Sequence, residues 1–144
     1  MPKSSTSFET FVSPDELRAV VVAVEKYPEF LPEVKRVSVR DRSGDSFLAT
    51  FHVEVKVGGM EVKTEYTVRY TVKGDTISWK LDSSPNVSKN EGSWRLEETN
   101  DGETKAFYEA EIETTLPIPP ELQKIFADQE LPKMMQRFRD RAEA

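Results

Sequence analysis

The sequence contains no cysteine. That single absence excludes disulfides, thiolate metal sites and cysteine nucleophiles, and it fits a reducing compartment. Histidine is almost missing as well. His52 stands alone, so neither an imidazole-built zinc site nor a Ser-His-Asp triad has the companions it needs. Basic charge is in deficit, with 20 Lys and Arg against 26 Asp and Glu and a net charge of -6. Nucleic acid is therefore not an expected partner, because phosphate binding needs clustered Lys and Arg. Long apolar runs are lacking too. The longest, Ala19 to Val24, is far too short to cross a bilayer, so no stable membrane insertion is expected. No apolar stretch follows Met1-Pro2-Lys3-Ser4-Ser5-Thr6-Ser7, which leaves the cytoplasm as the expected location and Asn86-Val87-Ser88 as a chance sequon.

What is present describes one ordinary folded domain spanning residues 1–144, with 37% hydrophobic and 32% charged residues. Ser13-Pro14-Asp15-Glu16-Leu17 predicts a helix start: Ser13 as cap, Glu16 closing a capping box and Pro14 in the first turn. Val12 and Leu17 stand at the two positions of a hydrophobic staple. This helix is expected to run to Tyr27-Pro28, with a second short turn at Glu29-Phe30-Leu31. Phe8–Val12 reads as a strand before it. Afterwards the sequence alternates with period two over 34–40, 47–57, 61–72, 76–81, 93–98 and 105–115. Short turn segments such as Ser43-Gly44-Asp45, Gly58-Gly59 and Gly74-Asp75 separate them, so neighbouring strands must be antiparallel. From Glu121 onward Leu122, Ile125, Phe126, Met134, Met135 and Phe138 recur at helical spacing, and Pro132 is expected to kink or divide that helix.

Strand parity separates two faces. One collects Ala49, Phe51, Val53, Val55 and Val57, then Val62, Tyr66, Val68, Tyr70 and Val72. It continues through Ile77, Trp79, Leu81, Trp94, Leu96, Tyr108, Ala110 and Ile112. The other carries Thr50, His52, Glu54, Lys56, Lys63, Glu65, Thr67, Arg69, Glu109, Glu111 and Glu113. An apolar sheet face needs a cover, and the amphipathic C-terminal helix is the element left to supply it. One helix is about 10 Å across, too narrow for six or seven strands about 4.8 Å apart unless the sheet curls around it. The expected architecture is thus α+β, a curved antiparallel sheet of about seven strands wrapped around a long C-terminal helix, with two short helices after the first strand. A curled sheet of this kind leaves room at one end for an apolar ligand.

Three segments carry a resemblance: Val12-Ser13-Pro14-Asp15-Glu16-Leu17, Tyr27-Pro28-Glu29-Phe30-Leu31-Pro32-Glu33-Val34, and the helix ending Met135-Gln136-Arg137-Phe138-Arg139-Asp140-Arg141-Ala142. With the order of elements they make the chain resemble the START-like (Bet v 1-like, SRPBCC, helix-grip) superfamily, in its coenzyme Q-binding or polyketide cyclase/dehydrase branch. The resemblance implies a cavity for a lipid, quinone or polyketide between sheet and helix. Its walls are expected to be Phe51, Tyr66, Tyr70, Trp79, Trp94 and Tyr108 on the sheet side, with Leu122, Phe126 and Met135 opposite.

Chemistry has few carriers. His52 falls on the wet face, and the Glu residues that share its parity are a solvated surface. No catalytic residue, metal or cofactor is implied; Tyr66, Tyr70 and Tyr108 are the candidates for a weak acid. The expected function is the binding, or transport, of a hydrophobic small molecule. A cyclase/dehydrase-type enzyme is the alternative. A macromolecular interaction module, such as a ribosome-association toxin-like protein using Arg137, Arg139 and Arg141, is the third. The oligomeric state is not legible.

Overall fold

A computed structural model describes the backbone of residues 3–57, 59–115, 117 and 119–144, and their side chains except at 57, 60 and 125–127. In chain order the elements are β1 (Lys3–Thr10), α1 (Pro14–Val22), a 3-10 helix (Val24–Glu29), β2 (Val34–Ser43), β3 (Ser46–Val57) and β4 (Met60–Lys73). There follow β5 (Thr76–Ser83), β6 (Val87–Glu98), β7 (Thr104–Thr114), α2 (Pro120–Ile125), a π-helical turn (Phe126–Glu130) and α3 (Leu131–Glu143). The seven strands form one antiparallel sheet in the order β1-β7-β6-β5-β4-β3-β2. It is a meander from β2 to β7 with β1 added beside β7, and it is the α+β helix-gripping architecture that the alternation predicts.

The first helix begins as its sequence dictates. Glu16 N donates to Ser13 Oγ (3.2 Å) and Ser13 N donates to Glu16 Oε1 (3.4 Å), closing the capping box. Val12 and Leu17 are both buried. The expected run to Tyr27-Pro28 is corrected, however: α1 stops at Val22 and the chain tightens into the 3-10 helix. Val20, Val21 and Val22 are weak helix formers. The tighter turn still brings Val24 and Tyr27 to the core.

The C-terminal helix is divided where Pro132 stands. A proline cannot donate to the carbonyl four residues earlier. The chain widens into a π-turn at Phe126–Glu130, and Pro132 then occupies the first turn of α3, where no such donor is needed. Leu131, Met135 and Phe138 bury the inner stripe of α3. Its far end is tied down by Thr10 Oγ1 donating to Glu143 Oε2 (2.6 Å).

Two strands start earlier than the alternation suggests. β1 begins at Lys3, not Phe8, and β6 at Val87, not Ser93. Polar residues fill both extensions, and what holds them as strands is pairing: β1 lies along β7, and β6 is laddered to β7 from Val87 on. The outward face is wet apart from Leu48 and Thr67, which are 5% and 6% exposed. The Thr67 hydroxyl is satisfied by Thr50 across the strand pair (2.7 Å).

Candidate functional site

Burial along the inward face falls off in one direction. On β4 it passes from Tyr70 and Val68, both buried, to half-exposed Tyr66, Thr64 and Val62; on β3 it passes from Ala49 and Phe51 to Val53 and Val55. The space so opened, between sheet and C-terminal helices, is a half-enclosed cavity of about 310 Å3. Leu122, Gln123, Glu130, Leu131, Met134 and Phe138 close it from the helical side.

Its wall is aromatic in an ordered way. Starting from Phe51, ring centroids follow one another at 6.3 Å to Tyr70, 5.9 Å to Trp79, 5.7 Å to Tyr108 and 5.0 Å to Trp94. The series returns through Phe138 (5.0 Å) and Tyr27 (5.2 Å) to Phe51 (6.1 Å). The result is a closed belt, and every member lines the cavity. Tyr66 stacks on Phe51 from within (5.3 Å). All four tyrosines and both tryptophans of the chain therefore face one space.

Of the residues expected at the site, Phe51, Tyr66, Tyr70, Trp79, Trp94, Tyr108 and Leu122 line the cavity. Met135 instead sits in the core at 4% exposure, and Met134, one residue earlier on the helix, faces the cavity. The side chain of Phe126 lies outside the described residues. Tyr27 and Asn90 also line the cavity and were not foreseen. Asn90 was detectable: counting back in twos from inward Trp94 reaches Gly92 and Asn90, once β6 is allowed to start at Val87. His52 stays on the outer face, with Nε2 3.1 Å from Arg36 Nη2.

The hydroxyls are organised in two sets. The Tyr70 and Tyr27 hydroxyls are hydrogen-bonded, and Tyr27 donates in turn to the Val21 carbonyl. This pair consumes its own protons. In the second set Trp79 Nε1 donates to Asn90 Oδ1 (3.0 Å), and the Asn90 side chain also hydrogen-bonds the Tyr66 hydroxyl. With its oxygen engaged by the indole, the amide serves Tyr66 through its nitrogen, which leaves the Tyr66 proton available to an acceptor in the cavity. The Tyr108 ring packs between Trp79 and Trp94 on the same wall. Burial raises all four phenols. Tyr66 is pushed up to about 12, moderated by the Asn90 bond, and Tyr27, Tyr70 and Tyr108 also stand above their ordinary value. At neutral pH they are neutral donors and not phenolate bases.

Two glutamates, Glu33 and Glu130, also line the space. Among the described residues no group of His, Asp and Glu could hold a metal ion, and no helix is long and apolar enough to cross a membrane.

The sequence model of one family, described as polyketide cyclase/dehydrase and lipid transport, matches residues 12–139. Solved structures share the fold across their length. A START superfamily protein from Mycobacterium smegmatis is 20% identical, with a TM-score of 0.78 over 98% of this chain and 97% of that one. The Zhui aromatase/cyclase from Streptomyces sp. R1128 is 15% identical, with a TM-score of 0.81 over 99% and 93%. A STAR-related lipid transfer protein fragment from Xanthomonas axonopodis is 12% identical, with a TM-score of 0.74 over 97% and 85%. At such identities the likeness is one of fold. No curated protein matches the chain.

Proposed function

The chain belongs to the polyketide cyclase/dehydrase and lipid transport family, and from that premise we propose that it binds, and carries, a hydrophobic small molecule in the belted cavity. The observation that supports this most is the cavity itself. A volume of about 310 Å3 ringed by aromatic side chains is the concave, mostly apolar space with a few placed polar groups that small ligands occupy. Flat ring faces on the wall give extra contact to rings or conjugation, as in a quinone or polyketide, beside the apolar contact that any aliphatic chain makes there. Residence in the cytoplasm is part of the same proposal. Native mass spectrometry of freshly purified protein tests it. A mass above that of the bare chain, lost on organic extraction, is expected; a bare chain that takes up no hydrophobic probe would sink the reading.

One observation favours a second reading, an enzyme of the cyclase or dehydrase type. The Trp79–Asn90–Tyr66 chain presents one neutral hydroxyl as a donor, which is how a carbonyl would be polarised and a reactive chain held in a fixed pose. Removing only that hydroxyl, by Tyr66→Phe, should then abolish turnover while leaving binding nearly intact. The third expectation, a surface module working through Arg137, Arg139 and Arg141, has less to stand on. Those arginines hydrogen-bond Glu33, Glu143 and Glu29 of the chain itself.

A further inference from the structure

The charged side chains that line the cavity are all acidic. Among the described residues that line it, Glu33 and Glu130 are ionisable acids and no lysine, arginine or histidine takes part. The undescribed positions add no basic side chain either. The basic residues nearby are engaged by those same two glutamates. Arg137 Nη1 is committed to Glu33 Oε1 at 2.9 Å, and Lys133 Nζ lies 3.6 Å from Glu130 Oε1, on a side chain 60% exposed. The first pair is half-buried and holds its arginine in place; the second is open to water and weak. Glu130 and Arg137 are seven positions apart on the helical run, hence roughly 10 Å along one face. Glu130 and Glu33, the partner of Arg137, both line the cavity. Deeper in, what the wall offers are neutral phenol donors.

From this we propose that the cavity selects by charge: it takes hydrophobic ligands that are uncharged, or cationic at their exposed end, and rejects those ending in a carboxylate or phosphate. The inference rests on the ligand-binding reading above and narrows it. An anionic head group would leave water to meet two carboxylates whose neighbouring cations, Arg137 and Lys133, are already engaged by them, and a desolvated charge without a free partner is strongly disfavoured. A neutral carbonyl or hydroxyl compound meets the Tyr66 and Tyr108 hydroxyls instead. Glu33 withholds Arg137 from such a ligand, and Glu130, with only an exposed lysine beside it, supplies the negative charge.

The test uses decanol, decylamine and decanoate, which share one tail and differ in head-group charge. Because Trp79 and Trp94 line the cavity, intrinsic fluorescence reports occupancy directly, with calorimetry as a second readout. Decanol and decylamine should bind, with decanoate at least about tenfold weaker, a ratio that fits one unpaired charge near the surface of a protein. Glu33→Gln releases Arg137 and should raise decanoate affinity about tenfold with decanol unchanged; Glu130→Gln, whose lysine partner is exposed, should act in the same direction without loosening the fold. The outer-face control Glu109→Gln should alter none of the three. Decanoate binding as tightly as decanol to the unaltered chain, or an unchanged order in both glutamine variants, overturns the charge rule and leaves ligand binding standing. Failure of all three compounds to bind overturns both.

Discussion

Gly92 is the position at which a single methyl group tests the cavity most sharply. It lies on the inward face of β6, opposite Trp79 on β5 and Ala110 on β7. A Cβ placed there would stand 2.6 Å from Trp79 Cζ2 and 2.9 Å from Ala110 Cα, and closer still to the Glu109 carbonyl oxygen. Two of those neighbours are backbone and cannot swing aside, so Gly92→Ala must both push the indole and separate β6 from β7. Overpacking of this kind costs about 1–3 kcal/mol. Against it, alanine restricts the unfolded chain more than glycine does, a gain of roughly 0.4–1 kcal/mol. The net expectation is a loss of about 1–2 kcal/mol, or a Tm lower by roughly 2–8 °C for a chain of this size.

The direction of the indole shift makes the outcome specific. Trp79 Cζ2 is on the Nε1 side of the ring system, so displacing it strains the 3.0 Å bond to Asn90 Oδ1 and drives the ring toward the cavity. Thermal unfolding by circular dichroism gives the stability change, and tryptophan emission reports the altered indole environment. The Trp79→Leu background separates the two clashes. With the indole gone only the backbone contacts remain, so Gly92→Ala should destabilise that background less than the native one. Equal penalties in both backgrounds, or a Gly92→Ala protein as stable as the parent, would refute the close approach at Gly92.

Two further outcomes follow from the same wall. Asn90 is 4% exposed and serves both Trp79 and Tyr66, so Asn90→Ala leaves the Trp79 Nε1 donor without its acceptor and the Tyr66 oxygen without its donor, and should lower stability by about 1–3 kcal/mol, read as a shifted denaturation midpoint. The phenols set a limit at high pH. Their folded pKa values lie above the ordinary value of 10, so their contribution is complete below pH 10 and is lost as pH rises through the folded values, toward about 12 for Tyr66. Absorbance of tyrosinate should therefore stay low at pH 10 and rise together with unfolding; a simple titration centred at pH 10 in the folded protein would contradict the burial of these hydroxyls.

The fold was legible because its sheet is antiparallel and half wet. Alternation such as Ala49, Phe51, Val53 and Val55 against Thr50, His52 and Glu54 states which face is inward, and Gly74, at φ 58°, marks one of the tight turns. What escaped were the boundaries that tertiary pairing decides. Ser4 to Ser7 and Ser88 to Gly92 carry no strong strand signal of their own and become strands because β7 lies beside them. The end of α1 escaped for a related reason: Ala23 to Pro28 can continue a helix in principle, but the core asks for Val24 and Tyr27, and the 3-10 turn provides them.

The site was legible on the sheet and less so on the helix, and the difference has a geometric cause. Period two assigns a strand residue to one of two faces, so every aromatic expected on the sheet wall is found there. A helix turns 100° per residue, and the π-turn before Pro132 adds an offset that no regular spacing foresees, which is how Met134 and not Met135 comes to face the cavity. Register also explains why the space is not filled. Phe51 lies opposite Tyr66, Tyr70 opposite Trp79, and Trp94 opposite Tyr108 in the ladder. These large rings meet one another sideways along the sheet, where cross-strand pairs are strongest, and so do not all stack upward against the helix. Small Ala110 sits among them on the cavity wall, and the bare backbone of Gly92 lets the Trp79 indole lie flat against the sheet beside it. Ala110 lines the cavity itself, and a larger apolar residue there would fill part of it, so the capacity for a ligand resides as much in where the sequence is small as in where it is aromatic.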